Sequence, residues 1–333
     1  MNLPDMRDWM PIRVDVEAGR PMVDWCHMGE VRCTEPFFTE TVERRLRDPF
    51  ALLFRRQTPI DELLALEERS PGVPPQGFVF HMSRCGSTLI SQMFAQLPEN
   101  VVLSEPTPLE LLLRLALLSP GIPDAQWIAW LRALLAAMAQ PRTGVERRVI
   151  VKFDAWPVLA LPLLRRAFPG VPWIFVHRDP LEVLVSHQRQ TGATMVPGPL
   201  PPMLFGVAPS ELARFSLEEY QARVLASLCD AAAMHLHDGG MAVAYTELPE
   251  AAWTSIAAHF GLSLSEPDVE AMRRAARVDV KRPGREFRDD TAAKRASAPA
   301  EMRHAAQRFA MPSWHRLEAA RDRGAGAVLV GTG

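Results

Sequence analysis

Three short stretches of this chain hold residues of the kinds that handle phosphorylated ligands. The first, Ser83-Arg84-Cys85-Gly86-Ser87-Thr88, sets a cation and a glycine ahead of two hydroxyls, between the apolar run GFVFHM and the amphipathic run LISQMFAQL. Strand, small-residue loop and helix is the arrangement in which a backbone cradles an anion. Glycine permits close approach, the N–H groups of Gly86, Ser87 and Thr88 open the helix, and the hydroxyls add donors. Arg84 supplies the countercharge. The Walker spacing GxxxxGK[ST] and its lysine are both absent, which weighs against a generic ATPase.

The second stretch is WIFVHRDPLEVLVSH at 173–187. Asp179 suits an N-cap and Pro180 the first helical position, so a helix start is predicted there. Arg178 then stands at a strand's C-terminal end, where open α/β sheets bind ligands. Ser186, seven residues after Asp179, returns to nearly the same helical face. An arginine and a hydroxyl converging beside a helix N-terminus make a second phosphate site; the plainer reading is that RDP is only a capping and turn device.

The third set consists of groups for proton transfer and charge. Glu105 ends the apolar run VVLSE and Asp154 ends VIVKFD, so either carboxylate is placed to act as a base. Phe153, Trp156 or Pro106 nearby would raise a carboxyl pKa toward the useful range. Lys152 follows three apolar residues and is one of only three lysines, with Lys281 and Lys294. A lysine so placed either snorkels to the sheet edge or serves a charged ligand. His81, His177 and His187 flank the same loops and read as packed or capping residues.

The elements that must position these groups follow from periodicity. Near-continuously apolar runs predict strands at 77–82, 101–104, 149–153, 173–177 and 241–245, with helices in most intervals, which is the signature of a parallel sheet with crossover helices. Apolar stretches at 109–118 and 127–139 predict buried helices. Upstream, SPGVPPQG at 70–77 marks the clearest boundary, and residues 1–75 carry one expected helix from Thr39 to Leu52. Residues 191–210, with five prolines and three glycines, predict a loop of lid or pocket-wall type. A polar, basic segment within 261–300 precedes two expected short amphipathic helices and a tail frayed beyond Arg323.

With these residues in place, the chain resembles the sulfotransferases that use 3'-phosphoadenosine 5'-phosphosulfate (PAPS). SRCGSTL is similar to their 5'-phosphosulfate loop, P-[KR]-[SA]-G-[ST]-[ST], with Ser83 for proline and Cys85 for serine. Arg178, Pro180 and Ser186 match the 3'-phosphate motif R-x-P-x-x-x-x-x-S. The resemblance implies that Arg84, Cys85, Gly86, Ser87 and Thr88 hold the 5' end of the donor and that Arg178 and Ser186 hold its 3'-phosphate. It further implies that Lys152 contacts the transferring group, and that Lys281 and Arg285, in Lys281-Arg282-Pro283-Gly284-Arg285-Glu286-Phe287, belong to a loop closing over the nucleotide. Glu105 lies at the offset of a catalytic glutamate in one branch of the family. Asp154 stands where another branch carries a histidine, so both remain candidates for the base, with Glu105 preferred. Tyr245-Thr246-Glu247-Leu248 is similar to the family's Y-E-x-L. The implied fold is a P-loop-like three-layer α/β structure: 1–75 an N-terminal extension or small subdomain, 76–260 the PAPS-binding core, 261–333 a C-terminal helical and basic segment completing the nucleotide site. No metal is implied.

Composition is compatible with this. Of 333 residues, 48% are hydrophobic and 23% charged, enough for a sizeable core. A net charge of −2 gives no global field to recruit nucleic acid or an anionic membrane. Cys26, Cys33, Cys85 and Cys229 lack metal-ligand spacing and fit a reducing cytoplasm. The charged N-terminal sequence does not resemble a signal peptide, and the apolar helices are too short to span a bilayer. The expected function is transfer of a sulfuryl group to a hydroxyl, phenol or amine of a small molecule, hydrophobic or aromatic by the character of 191–210. Two alternatives are weighed against it: a kinase using ATP, and a nucleotide-binding protein without catalysis.

Overall fold

A computed structural model of the chain describes residues 6–17, 19–119, 121–277 and 297–330. Near the N-terminus, β1 (Trp9–Glu17) and β2 (Arg20–His27) pair antiparallel, and β3 (Arg56–Pro59) adds to β2. Gly19, at φ +79°, takes the left-handed turn conformation between β1 and β2. This small sheet was not expected from the sequence. Residues 12–17 alternate apolar and polar side chains, and a register shift between Pro11 and Arg13 interrupts that alternation upstream.

The expected helix from Thr39 to Leu52 is two helices, α1 (Phe38–Arg45) and α2 (Pro49–Leu53). Pro49 disfavours helical backbone at Asp48. Asp48 instead caps α2, accepting from the N–H groups of Phe50 (2.9 Å) and Ala51 (3.2 Å). A third helix, α3 (Glu62–Arg69), leads to the Pro/Gly-rich boundary.

Beyond it, all five predicted strands are present. They are β4 (Pro75–His81), β5 (Asn100–Ser104), β6 (Arg148–Lys152), β7 (Trp173–His177) and β8 (Gly240–Ala244). They form one parallel sheet in the order β5-β6-β4-β7-β8. From central β4 the chain crosses to the edge strand β5, returns to β6 between the two, and then adds β7 and β8 on the other side, so the sheet is doubly wound, with helices flanking it. The helices named next are α4 (Ser87–Ala95), α5 (Thr107–Leu118), α6 (Asp124–Met138), α7 (Leu161–Ala167) and α8 (Pro180–Arg189). Helix α4 packs on β4, β5 and β6, while α5 and α6 pack on β1 and tie the small sheet to the main body. Phe78 and Phe80 of β4 meet Phe153, stacked on Phe80 at 5.0 Å, and Trp173 edge-on at 5.9 Å.

Segment 191–210 is irregular as expected, with short turns at Ala193–Met195 and Pro202–Phe205. Towards the C-terminus the expected two short helices form a nearly continuous helical run from Ala300 to Val330, passing through a π-type stretch at Ala306–Ala310. The tail expected to fray beyond Arg323 is helical to Val330, and the helix that it ends packs along the helix Leu217–His235 and on β8. Buried residues of the N-terminal sheet, among them Trp9, Val14 and Trp25, join the same apolar core as the main sheet. Among the described residues, no helix is long and apolar enough to cross a membrane.

Candidate functional site

Every residue singled out for chemistry within the described residues lies at or just beyond the C-terminal edge of the parallel sheet. His81 ends β4, Glu105 follows β5, Lys152 ends β6 with Asp154 two residues on, and Arg178 follows β7. This is the edge at which open α/β sheets bind ligands.

The loop after β4 turns sharply. Ser83 (φ +71°), Arg84 (φ +51°) and Gly86 (φ +89°) are all left-handed, which is routine for glycine and uncommon for the other two. A tight turn of this kind ahead of a helix N-terminus can aim successive N–H groups toward one concavity, the geometry that receives anions. Gly86 is the N-cap of α4, and Ser87 and Thr88 begin the helix. The hydroxyls of Ser87 and Thr88 have no hydrogen-bond partner among the described residues. Cys85 turns the other way: its thiol lies 3.1 Å from the Val176 carbonyl and is fully buried. The side chain serves the core beneath the loop.

Arg84 reaches across to α8. Its Nε donates to the Ser186 hydroxyl at 3.0 Å and its NH1 to Gln190 Oε1 at 3.3 Å. Two motifs about a hundred residues apart in sequence thus meet through their cation and hydroxyl. Helix α8 starts as predicted, with Asp179 accepting from the N–H groups of Leu181 (2.9 Å) and Glu182 (3.4 Å). Arg178 is buried, forms an ion pair with Glu182 (Nε to Oε2, 2.7 Å), and lies over the Tyr245 ring at 3.9 Å. The sequence reading did not include Glu182. A phosphate approaching Arg178 competes with that carboxylate for the guanidinium.

Glu105 and Asp154 have different surroundings. Glu105 is left-handed (φ +54°), donates its N–H to the Lys152 carbonyl at 2.6 Å, and is ion-paired through its carboxylate with the buried Lys152 ammonium. The Lys152 ammonium also lies 5.4 Å from the Phe37 ring centre. Asp154 accepts from the Ala155 N–H (2.7 Å) and the Thr194 hydroxyl (2.9 Å), so it anchors segment 191–210 to the sheet edge. Glu110 of α5 accepts the Asp154 N–H at 2.6 Å. Burial, then the nearby Asp154, pushes the Glu110 carboxyl well above the usual range.

Atoms of His81, Glu105 and Asp154 able to bind a metal lie within 4.8 Å of one another. The Lys152 ammonium already brings positive charge to Glu105 in this group. His81 was expected to be packing or capping, and it caps: its Nδ1 accepts the Ser83 N–H at 2.9 Å. His187 accepts the Gly192 N–H at 3.3 Å through Nδ1. Buried His177 accepts the Trp314 indole N–H at 3.2 Å. Sequence reasoning missed Glu110, Glu182 and Thr194 as neighbours of the site. Only Glu182 carried a local signal, four residues after Arg178 on one helical face. Lys281, Arg285 and Lys294 lie outside the described residues.

No protein-family model matches the chain, and no curated protein matches it. Among solved structures it is similar to a sulfotransferase from Alicyclobacillus acidocaldarius, at 14% identity over 75% of this chain and 96% of that one, with TM-score 0.45. It is also similar to mouse sulfotransferase SULT7A1 complexed with PAP (11% identity, 79% and 93% covered, TM-score 0.43). A third is sulfotransferase STF9 from Mycobacterium avium (14% identity, 64% and 71% covered, TM-score 0.42).

Proposed function

We propose that this chain transfers a sulfuryl group from PAPS to a hydroxyl, phenol or amine of a small molecule. The observation that carries this reading is the contact of Arg84 with Ser186, which joins the two phosphate motifs of the sequence into one cradle. A donor with phosphate groups at both its 5' and 3' positions needs two such sites at one sheet edge, whereas ATP has none at the 3' position.

In the proposed reaction the acceptor oxygen or nitrogen attacks sulfur in line, and the bond from sulfur to the bridging oxygen breaks. The electron pair leaves with the 5'-phosphate, and the acceptor's proton passes to a carboxylate. Arg84, Lys152 and the N–H groups of Gly86, Ser87 and Thr88 face the charge that develops on the leaving oxygen. Fixed donors of this kind stabilise a transition state without reorganising. Glu105 is the preferred base by the offset that the resemblance gives it; its carboxylate is ion-paired with Lys152, while the oxygens of Asp154 are engaged by Ala155 and Thr194. Asp154 then acts as the anchor for segment 191–210, whose exposed Val196 and Met203 suit an apolar acceptor. Arg178, with Lys281 and Arg285, belongs to the 3' side. The division into 1–75, 76–260 and 261–333 is kept as a working assignment, with the nucleotide held by the second and closed by the third. The cytoplasmic setting expected from the four cysteines is kept as part of this reading.

Calorimetric titration with 3'-phosphoadenosine 5'-phosphate beside ATP tests this reading, on the wild type, Arg84→Ala and Arg178→Ala. The expected result is preference for the bisphosphate, weakened roughly 10- to 150-fold in each variant, as for the loss of a hydrogen bond to a charged group worth about 1.5–3 kcal/mol. No binding, or a preference for ATP, overturns it.

A further inference from the structure

His81 occupies the last position of β4 and is 4% exposed. Its Nδ1 accepts the N–H of Ser83 at 2.9 Å, so in the neutral ring the proton resides on Nε2. That nitrogen faces Glu105 Oε1 at 3.9 Å. One imidazole therefore stands between two segments that both depart from ordinary backbone geometry. On one side are Ser83 and Arg84, two consecutive left-handed residues without glycine's freedom; on the other is Glu105, also left-handed. Each such residue costs about 1–2 kcal/mol and persists only where its surroundings hold it. Ser83 stands where a proline would have made the mouth of the loop rigid. The hydrogen bond from its N–H, a group proline lacks, does that work here.

We propose that His81 is a positioning residue: through Nδ1 it holds the mouth of the anion loop, and through Nε2 it keeps that loop in register with the Glu105 carboxylate. The consequence is that the phosphate cradle and the proton-accepting group are set by a single ring. Lys152 also faces Glu105, with Asp154 close by, so His81 is one of several groups around that carboxylate, and the one that ties it to the loop. The proposal rests on reading the loop as the donor site and Glu105 as the base.

Two variants separate the ring nitrogens. Asparagine in His81→Asn puts an amide oxygen close to the position of Nδ1 and removes the Nε2 side, whereas His81→Gln extends toward Nε2 and gives up the acceptor for Ser83. Titration with 3'-phosphoadenosine 5'-phosphate is expected to show a loss of roughly tenfold or more in H81Q and a change within about threefold in H81N, the span of one neutral hydrogen bond. Hydrogen exchange at the amides of residues 83–88 is expected to quicken in H81Q and to stay near wild type in H81N. In alkaline buffer the imidazole 15N spectrum of the wild type should place the proton on Nε2. Equal losses in both variants, wild-type binding in H81Q, or a proton on Nδ1 each overturn the proposal. If the wild type itself does not bind the bisphosphate, the donor reading fails separately. Hydrogen exchange then decides on His81, and unchanged exchange in H81Q rejects it.

Discussion

Replacing Gly86 by alanine puts a methyl group 2.8 Å from Leu248 Cδ1 and 3.3 Å from the Tyr245 ring, at a backbone angle of φ +89°. Leu248 can move, but the left-handed backbone strains any side chain, so Gly86→Ala should destabilise the fold by about 1–2 kcal/mol in urea denaturation. Under the proposed function it should also weaken nucleotide binding more than its stability loss explains, since the N–H groups it displaces belong to the proposed cradle. The two carboxylates divide differently. Under the proposed mechanism, Glu105→Gln lowers kcat by roughly 10²- to 10⁴-fold while the affinity for the bisphosphate is kept. Asp154→Asn retains an acceptor for Thr194 and should act mainly on KM for the acceptor. If D154N gives the large kcat loss and E105Q a small one, the assignment of the base is reversed.

The elements carry a pH dependence of their own. His177 ends β7, and burial, reinforced by Arg321, pushes its pKa down to about 3. Because its Nδ1 accepts from Trp314, the ring is neutral. The 3.2 Å approach of Glu318 to that nitrogen is thus a contact with an uncharged ring rather than an ion pair. A histidine depressed in the folded state stabilises the fold above its unfolded pKa of about 6.5 and loses that contribution as pH falls toward 3, because the unfolded chain takes up the proton first. On the order of 4 kcal/mol is withdrawn across that window. Thermal melts at stepped pH should show this loss, and it should be reduced in His177→Gln. The C-terminal helix that supplies Trp314 and Glu318 should lose its docking first, seen as a change in Trp314 fluorescence.

For the whole molecule, the N-terminal residues are joined to the parallel sheet by specific bonds. The NH2 group of Arg32 lies 3.0–3.4 Å from the carbonyls of Ala95, Leu97 and Asn100, at the turn from α4 into β5. The Pro36 carbonyl accepts from Ser104 at 2.8 Å, next to Glu105, and Trp130 donates to Asp61 at 2.8 Å. Arg32→Ala should therefore cost about 1–3 kcal/mol of stability by leaving buried carbonyls without their donor. If the variant melts as the wild type does, the N-terminal segment is only loosely attached.

The sequence determined the parallel strands, because strands covered on both faces read as continuous apolar runs wherever the chain is inspected. It also determined the anion loop and the start of α8, since Gly86, Asp179 and Pro180 signal through local backbone preferences that need no distant partner. Tertiary structure alone decided the rest. The register shift between Pro11 and Arg13 interrupts β1 ahead of the regular alternation at 12–17, and the pairing of β1 with β2 is a property of the fold. The contact of Cys85 with the Val176 carbonyl joins the loop after β4 to neighbouring β7, and the approach of His81 to Glu105 spans the end of β6, which separates β4 from β5. No spacing in the chain encodes β4 lying between β6 and β7, and that order is what brings these side chains together.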